Sequence, residues 1–331
     1  MDESQEAVKS FIKTIIVPVA LQPDTLAAIF LLRKFGETRF PGVRDARIKV
    51  LSILPAGETP TSLEASGSIL IDIGEGRFDH HVQREKTTAS RLVAEYLGIA
   101  DDPALAKLLE YARRDDMFGK GTISDDPIDR AFGLSGLLQN LNRGMAGQPD
   151  EVAKIILPIL LTHYEEESRR TKELPEEFAA KTREGRVQIQ EVRQRDKKLK
   201  VVFVESDNTG LAGFLRSQGG GRFDVVVQRI SGGYVNILTR PTKRVDLRFL
   251  AACVRMREVE VQGGKLEVNE YELMRPARHP EIKEWYYDPA TNSLQNGGLN
   301  PKDISPTRIS WTEFPELVSK GLASRVFSDL Q

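Results

Sequence analysis

A group of carboxylate and imidazole side chains follows an apolar run in the first third of the chain. The run Ile69–Ile73 carries Asp72 near its end, and a short turn containing glycines leads to Asp79, His80 and His81. Carboxylate oxygens and imidazole nitrogens suit Mn²⁺, Fe²⁺ or Zn²⁺ and, less well, Mg²⁺. Two such ions can bracket a phosphoryl group and activate a water molecule. These residue types therefore predict a site for metal and phosphate.

The tripeptide also has a simpler interpretation, in which its histidines are loop residues that cap the following helix. An isolated Asp-His-His favours that interpretation. The surrounding sequence favours the metal site, because an apolar strand delivers Asp72 just before the turn and a helical segment, 87–98, follows it. In open α/β sheets, ligands collect at the carboxyl ends of such strands.

This arrangement resembles the third motif of the DHH phosphoesterase superfamily: a strand that ends in aspartate, a short turn, Asp-His-His and a helix. The segment 20–28 is similar to the first motif of the family, although only Pro23 and Asp24 keep its polar pattern. The segment 111–119 is similar to the fourth motif, with Asp116 as the preferred aspartate and Asp115 next to it.

The resemblance implies a cofactor of Mn²⁺ or Mg²⁺, present as one or two ions. In the family arrangement Asp72 would bridge two ions, Asp24 and His80 would each hold one, and Asp116 would complete the second. His81 would contact phosphate, and we assign His81 and Asp79 to catalysis.

Two positions depart from the family pattern. Ala20 stands where the family has a ligand histidine, and Leu26 stands where it has a second ligand aspartate. Neither side chain can donate a lone pair to a metal, and the nearby side-chain oxygens of Gln22 and Glu75 are the alternative ligands. Two functions therefore remain open. One is a metal-dependent phosphoesterase acting on a nucleotide, an oligonucleotide or a single-stranded nucleic-acid end, and the other is a weakened relative that binds a nucleotide or protein partner without efficient turnover.

In this family a second domain closes over the site and binds substrate through a glycine-rich loop and basic residues. Glycine lets a backbone approach phosphate, and arginine pairs with phosphate in a bidentate manner. The glycines at 232 and 233 also fit an ordinary hairpin turn. The substrate-binding candidates are Arg114, Gly232, Gly233, Arg240 and Arg244.

The elements that must position these residues follow from the apolar pattern. A β-branched run at 14–20 precedes a helix near 26–32, and continuous apolar runs at 48–54 and 68–73 are typical of parallel strands covered on both faces. Helices are predicted at 87–96 and 104–114. Together they predict a doubly wound, mostly parallel sheet in a first α/β domain, 1–148.

The second half predicts a helical connector at 149–198, broken near Pro175, and a smaller α/β domain at 199–331. In that domain we expect strands at 199–205, 223–229 and 234–239, helices near 209–217 and 246–258, and an irregular tail from about Pro276.

Composition sets the class of protein. With 331 residues, 40% of them hydrophobic, the chain can form two cores. The single cysteine, Cys253, fits a reducing compartment, so we expect a cytoplasmic protein. The chain has an acidic start and lacks an apolar run approaching the length of a membrane span, which argues against a membrane partner. The net charge of −1 gives no basic footprint. The expected partner is a phosphate-containing small molecule or a short nucleic acid, with a homodimer as an option.

Overall fold

The computed structural model describes residues 10–18, 20–81, 86–119, 124–265, 269–297 and 303–323. The chain divides into two units, Met1–Arg169 and Arg170–Gln331, each with its own sheet. The predicted two-domain α/β organisation is confirmed. The division falls inside the segment predicted as a helical connector. Residue 19 of the predicted first strand and residues 324–331 of the predicted tail lie outside the described part of the chain.

The first unit contains a parallel sheet of three strands in the order β2-β1-β3. The strands are β1 (Thr14–Val17), β2 (Arg47–Val50) and β3 (Ser68–Leu70). Ile15 lies opposite both Ile48 and Ile69, and all three side chains are buried. The predicted strands are therefore present, but they are shorter than the apolar runs. Pro18 limits the first of them, because proline has no N–H to give to a neighbouring strand.

Helices surround this sheet, and the first of them forms the centre of the core. It begins at a proline and is buried from Pro23 to Leu32, in contact with four other helices of the unit. The helices predicted from the sequence at 87–96 and 104–114 are confirmed. The bounds are α1 (Pro23–Phe35), α2 (Pro60–Ala65), α3 (Ala89–Leu97), α4 (Ala106–Phe118), α5 (Pro127–Phe132), α6 (Leu134–Gly144) and α7 (Pro149–Ser168).

The second unit begins within a π-helical turn, Arg169–Glu173, and contains a mixed sheet of seven strands in the order β4-β5-β6-β7-β10-β9-β8. Only β5 and β6 pair in parallel in the described sheet. The strands are β4 (Val187–Gln194), β5 (Lys197–Glu205), β6 (Val225–Arg229), β7 (Val235–Thr239), β8 (Ala277–His279), β9 (Ile282–Asp288) and β10 (Ser293–Asn296). The helices are α8 (Leu174–Arg183), α9 (Leu211–Arg216), α10 (Arg248–Val261), α11 (Glu270–Leu273) and α12 (Phe314–Ala323).

Two predictions for this half of the chain were wrong. The segment 187–194, predicted as part of a helical connector, is the edge strand β4, which tolerates polar residues because one of its edges has no partner strand. The tail predicted as irregular supplies β8, β9, β10 and α12. The second unit consequently has the larger of the two described sheets. Within the described residues, none of the helices combines the length and the apolar character needed to cross a membrane.

A buried arginine on α10 stabilises this second sheet. Arg255 is 1% exposed, and its guanidinium donates to the carbonyls of Leu273, Arg275, Ala277 and Trp285, at distances of 2.5 to 3.3 Å. Burial lowers the pKa of Arg255 to about 10. One guanidinium thus satisfies backbone acceptors from the segment that leads into β8 and from β9.

We expect Arg255→Leu to lower the free energy of unfolding of the second unit by at least about 3 kcal/mol, because several buried carbonyls lose their donor. Urea unfolding followed by tryptophan fluorescence measures this directly, since both tryptophans of the chain, Trp285 and Trp311, lie in this unit. Arg257→Leu, which changes a half-buried arginine of the same helix that pairs with Glu260 and Glu313, is the control and should have a small effect. Equal unfolding midpoints for the two variants would contradict the assignment.

Candidate metal centre

The loop after β3 returns to its starting point within a few residues. The Ile71 N–H donates to the Ile16 carbonyl at 2.9 Å and extends the ladder past the end of β3. Asp72 follows with φ of +60°, a conformation that aspartate tolerates better than most residues, and its N–H donates to the Phe78 carbonyl at 2.9 Å. The Asp72 carboxylate is thereby fixed at the carboxyl end of a parallel strand.

Phe78 anchors the far side of this loop in the core of the first unit. Its ring is 1% exposed and meets the rings of Phe40 and Tyr96 edge-on, with centroid distances of 6.1 and 5.5 Å. Phe40 and Tyr96 themselves stack on each other. Because the Asp-His-His tripeptide follows directly, this aromatic contact fixes the position of the backbone that carries those side chains.

Asp79 holds the loop and His81 together. Its buried carboxylate accepts the Glu75 N–H at 2.8 Å and the His81 N–H at 3.0 Å, and it lies 2.7 Å from Nδ1 of the His81 ring. With Nδ1 facing Asp79, Nε2 is the ring nitrogen available to a ligand. The hydrogen bond with Asp79 raises the pKa of His81, whose side chain is largely exposed. Asp79 therefore orients and charges His81.

The centre of the site is the contact between Asp72 and His80. Asp72 Oδ1 lies 2.9 Å from His80 Nε2, and Asp116 Oδ1 on α4 lies 3.8 Å from the same nitrogen. His81 Nδ1 is 3.5 Å from Asp72 Oδ1. Ligand atoms of Asp72, His80 and His81 all lie within 4.8 Å of one another. The structure therefore brings together four of the residues that the sequence predicts for this site.

Two of these atoms are buried without a hydrogen-bond partner. Asp72 Oδ1 and His80 Nε2 lie 2.9 Å apart, and neither atom has a hydrogen-bond partner among the described residues. Leaving such atoms unsatisfied costs about 1–3 kcal/mol each. Ions with metal–ligand bonds of about 2.0–2.2 Å place neighbouring ligand atoms about 3 Å apart. The donor types and their spacing thus fit a divalent cation.

The electrostatics of the site favour the same ligand. Burial is the main cause that raises the pKa of Asp72 to about 6, and the charges of Asp24 and Asp116 add to it, while His80 and His81 oppose it. Burial also raises the pKa of Asp116. A cation between these carboxylates would offset their mutual repulsion.

Asp115 lies beside this group on α4. Burial raises the pKa of its carboxyl group, which interacts with Ser135, and Asp115 Oδ1 is buried without a hydrogen-bond partner. The hydroxyl of Tyr111 accepts the Ser135 N–H at 2.9 Å and so fixes α6 against α4. The sequence placed Asp115 second to Asp116, and the structure places Asp116 closer to His80.

Asp24 has partners of a different kind. Its buried carboxylate accepts the N–H groups of Ala89 and Ser90 at 2.8 and 3.0 Å, together with the Ser90 hydroxyl. These are the first residues of α3, so Asp24 satisfies the free N–H groups at the start of that helix. The sequence did not single out Ser90. The signal was present, because Thr88 and Ser90 are typical residues for a helix start.

The two positions that depart from the family pattern have different surroundings. Leu26 is completely buried and belongs to the hydrophobic core around α1. Ala20 is exposed, in the turn before α1. As the sequence indicates, neither residue supplies an oxygen or nitrogen atom to the site.

The predicted substrate-binding residues each have a local role. In the first unit, Arg114 donates to Glu110 at 2.8 Å along α4. In the second unit, Gly232 and Gly233 form the turn between β6 and β7, where the Gly233 N–H donates to Ile230. Their part in substrate binding remains a prediction.

The other two candidates of the second unit follow β7. Arg240 forms an ion pair with the buried Asp224, whose other oxygen lies 3.7 Å from Lys243 Nζ. Arg244 is exposed and has φ of +49°. Arg244 therefore presents its guanidinium to solvent, whereas Arg240 is held within the unit.

The chain matches no family model and no curated protein. Among solved structures, it is similar to an uncharacterized protein from Helicobacter pylori, with 13% identity over 94% of this chain and 99% of that one, and a TM-score of 0.23. It is also similar to the DHH domain of a member of the s1p family of ribosomal proteins, with 12% identity over 75% of this chain and 79% of that one, and a TM-score of 0.24. Neither similarity by itself assigns a fold or an activity to this chain.

We expect the affinity for Mn²⁺ to fall about tenfold for each pH unit below about 6, because a proton on Asp72 competes with the ion. Above that pH the carboxylate is ionised and its contribution to affinity is complete. Calorimetric titrations with Mn²⁺ at a series of pH values measure this dependence. An affinity that stays constant as the pH is lowered through 6 would contradict a role for Asp72 as a ligand.

Asp79→Asn should lower the pKa of His81 towards its ordinary value, since the hydrogen bond with Asp79 is the main cause that raises it. A proton NMR titration of the ring signals measures this in a chain with only four histidines. The exposed His163 on α7 serves as the internal reference. An unchanged titration of His81 would show that Asp79 does not control its charge.

Proposed function

We propose that the chain is a divalent-metal-dependent phosphoesterase of the DHH type, with the doubly wound first domain that this implies. The observation that carries the proposal is the convergence of Asp72 Oδ1 and His80 Nε2, both buried and without a hydrogen-bond partner, beside Asp116. The proposed substrate is a nucleotide, an oligonucleotide or a single-stranded nucleic-acid end in the cytoplasm.

Each residue has a role that its surroundings support. Asp72, His80 and Asp116 would hold Mn²⁺ or Mg²⁺, which when bound would polarise a phosphoryl oxygen and lower the pKa of a bound water. His81 is exposed and its pKa is raised, so a larger share of it is protonated near neutral pH than for an ordinary histidine. A protonated imidazole donates to phosphate oxygens. Asp79 fixes the orientation of that ring.

The acidic character of the site supports a metal-dependent reaction over a metal-free one. Four carboxylates, those of Asp24, Asp72, Asp115 and Asp116, influence one another's charge in this region. A phosphate anion would be repelled by them unless a cation were also bound. The glycines and arginines of the second unit remain the proposed contacts for the rest of the substrate.

A second candidate function is supported by the first motif. Leu26 is fully buried in the core and Ala20 carries only a methyl group, so two ligands of a complete family site are missing. A two-ion mechanism depends on both ions to stabilise the attacking and leaving oxygens. The second candidate is therefore a protein that binds a nucleotide through the same metal centre with little turnover.

The test is Mn²⁺-dependent hydrolysis of bis(p-nitrophenyl) phosphate and of a short single-stranded DNA. We expect activity that EDTA removes, and a loss of at least about 100-fold in His80→Ala, which lacks a metal ligand. His163→Ala, a change of an exposed histidine of the same unit, is the matched control and should keep wild-type activity.

The outcomes separate the two candidates. Hydrolysis that depends on both Mn²⁺ and His80 supports the phosphoesterase. Binding of Mn²⁺ and of a nucleotide without hydrolysis supports the binding protein. A wild-type chain that binds no Mn²⁺ would contradict both.

A further inference from the structure

The carboxylate of Asp24, one of the predicted metal ligands, is already occupied by protein donors. Asp24 Oδ1 accepts two hydrogen bonds from Ser90, one from its N–H and one from its hydroxyl, and Asp24 Oδ2 accepts the N–H of Ala89 at 2.8 Å. A carboxylate oxygen has two lone pairs. Oδ1 is therefore fully used, and one lone pair remains on Oδ2.

These hydrogen bonds have a structural purpose. Asp24 lies in the first turn of α1 and its partners are the first residues of α3, so the carboxylate joins the starts of two packed helices. It also faces the positive end of the α3 dipole, which stabilises a negative charge there. Withdrawing the carboxylate towards an ion would leave buried N–H groups of α3 without an acceptor, at a cost of about 1–3 kcal/mol each.

Around Asp72, the remaining ligands suffice for one ion and not for two. His80 Nε2 is 2.9 Å from Asp72 Oδ1 and 3.8 Å from Asp116 Oδ1, so this nitrogen lies close to two carboxylates, one in the loop after β3 and one on α4. In the family arrangement a pair of ions also draws on the positions of Ala20, Asp24 and Leu26. The first and third have no donor atom, and the carboxylate of Asp24 is bonded to α3.

We propose that this centre binds a single divalent ion through Asp72, His80 and Asp116, and that Asp24 is a positioning residue that holds α3. The inference rests on the proposed metal-dependent function and specifies how many ions that function uses. The charge of Asp24 still contributes to the site, because it acts on Asp72 without touching the ion.

The test combines ion counting with stability, on the full chain loaded with Mn²⁺. Equilibrium dialysis with metal analysis gives the number of ions per chain. Electron paramagnetic resonance distinguishes an isolated Mn²⁺ from two ions about 3.5–4 Å apart, whose spins couple. The variants are Asp24→Asn, Ser90→Ala and His80→Ala.

For the wild type we expect one ion per chain and the spectrum of an isolated Mn²⁺. Asp24→Asn should keep that ion, with affinity reduced less than about tenfold by the lost charge, and should lower Tm by about 2–6 °C because α3 loses its cap. Ser90→Ala removes a hydrogen bond at the same junction without changing any charge. It should lower Tm and leave the affinity for Mn²⁺ unchanged. His80→Ala should abolish binding of the ion.

Two ions per chain with coupled spins, reduced to one ion by Asp24→Asn, would overturn the inference and leave the proposed phosphoesterase intact. Absence of bound Mn²⁺ in the wild type would overturn both. Should Asp24→Asn fail to fold, the ion count and the spectrum of the wild type and of Ser90→Ala still decide the matter.

Discussion

Gathering negative charge in a protein interior is costly, and the first unit is organised around that cost. Burial raises the pKa of both Asp72 and Asp116, and the charge of Asp24 adds to the effect on each. The structure offsets the repulsion in two ways. The carboxylate of Asp24 accepts hydrogen bonds from the first N–H groups of α3. The carboxylates of Asp72 and Asp116 instead face imidazole groups and a position that suits a cation. A carboxylate that is bonded to a helix stabilises the fold, whereas one that faces the position for a cation can serve as a metal ligand.

The parallel sheet and its central helix supply the framework for this division. β1 and β3 run in the same direction and pair through Ile16, so β3 ends beside the turn that leads from β1 into α1. The carboxylates of Asp72, just after β3, and of Asp24, at the start of α1, are thereby brought to one edge of the sheet. The aromatic anchor at Phe78 then returns the chain to the same edge with the two histidines.

Sequence patterns were sufficient for the strand that precedes Asp72 and for α3 and α4, because these features depend on local apolar periodicity. The proximity of His80 and Asp116 was predicted only through the resemblance to a family. The hydrogen bonds of Asp24 could not be predicted, since they join residues 65 and 66 positions apart in the chain. A carboxylate that caps a distant helix and one that binds a metal have the same residue type.

In the second half of the chain, sequence patterns failed to predict several strands. β4 is polar and lies at an edge of the sheet, and β10 joins β8 and β9 to the rest of the sheet by pairing with β7, which lies far earlier in the chain. Hydrophobic alternation is weak in such strands, so periodicity misses them. Arg255 illustrates the same point, as a buried guanidinium is recognised only when the carbonyls around it are known.

The packed rings of Phe40, Phe78 and Tyr96 make the geometry of the site depend on residues outside it. None of these rings offers a ligand atom, yet Phe78 precedes Asp79 directly and its packing sets the origin of the loop. Drift in the size or shape of Phe40 or Tyr96 would be transmitted to His80 and His81 as a displacement of the backbone. In lineages under selection for the chemistry of this site, these aromatic positions would therefore be expected to vary in concert, long before any acidic residue changes.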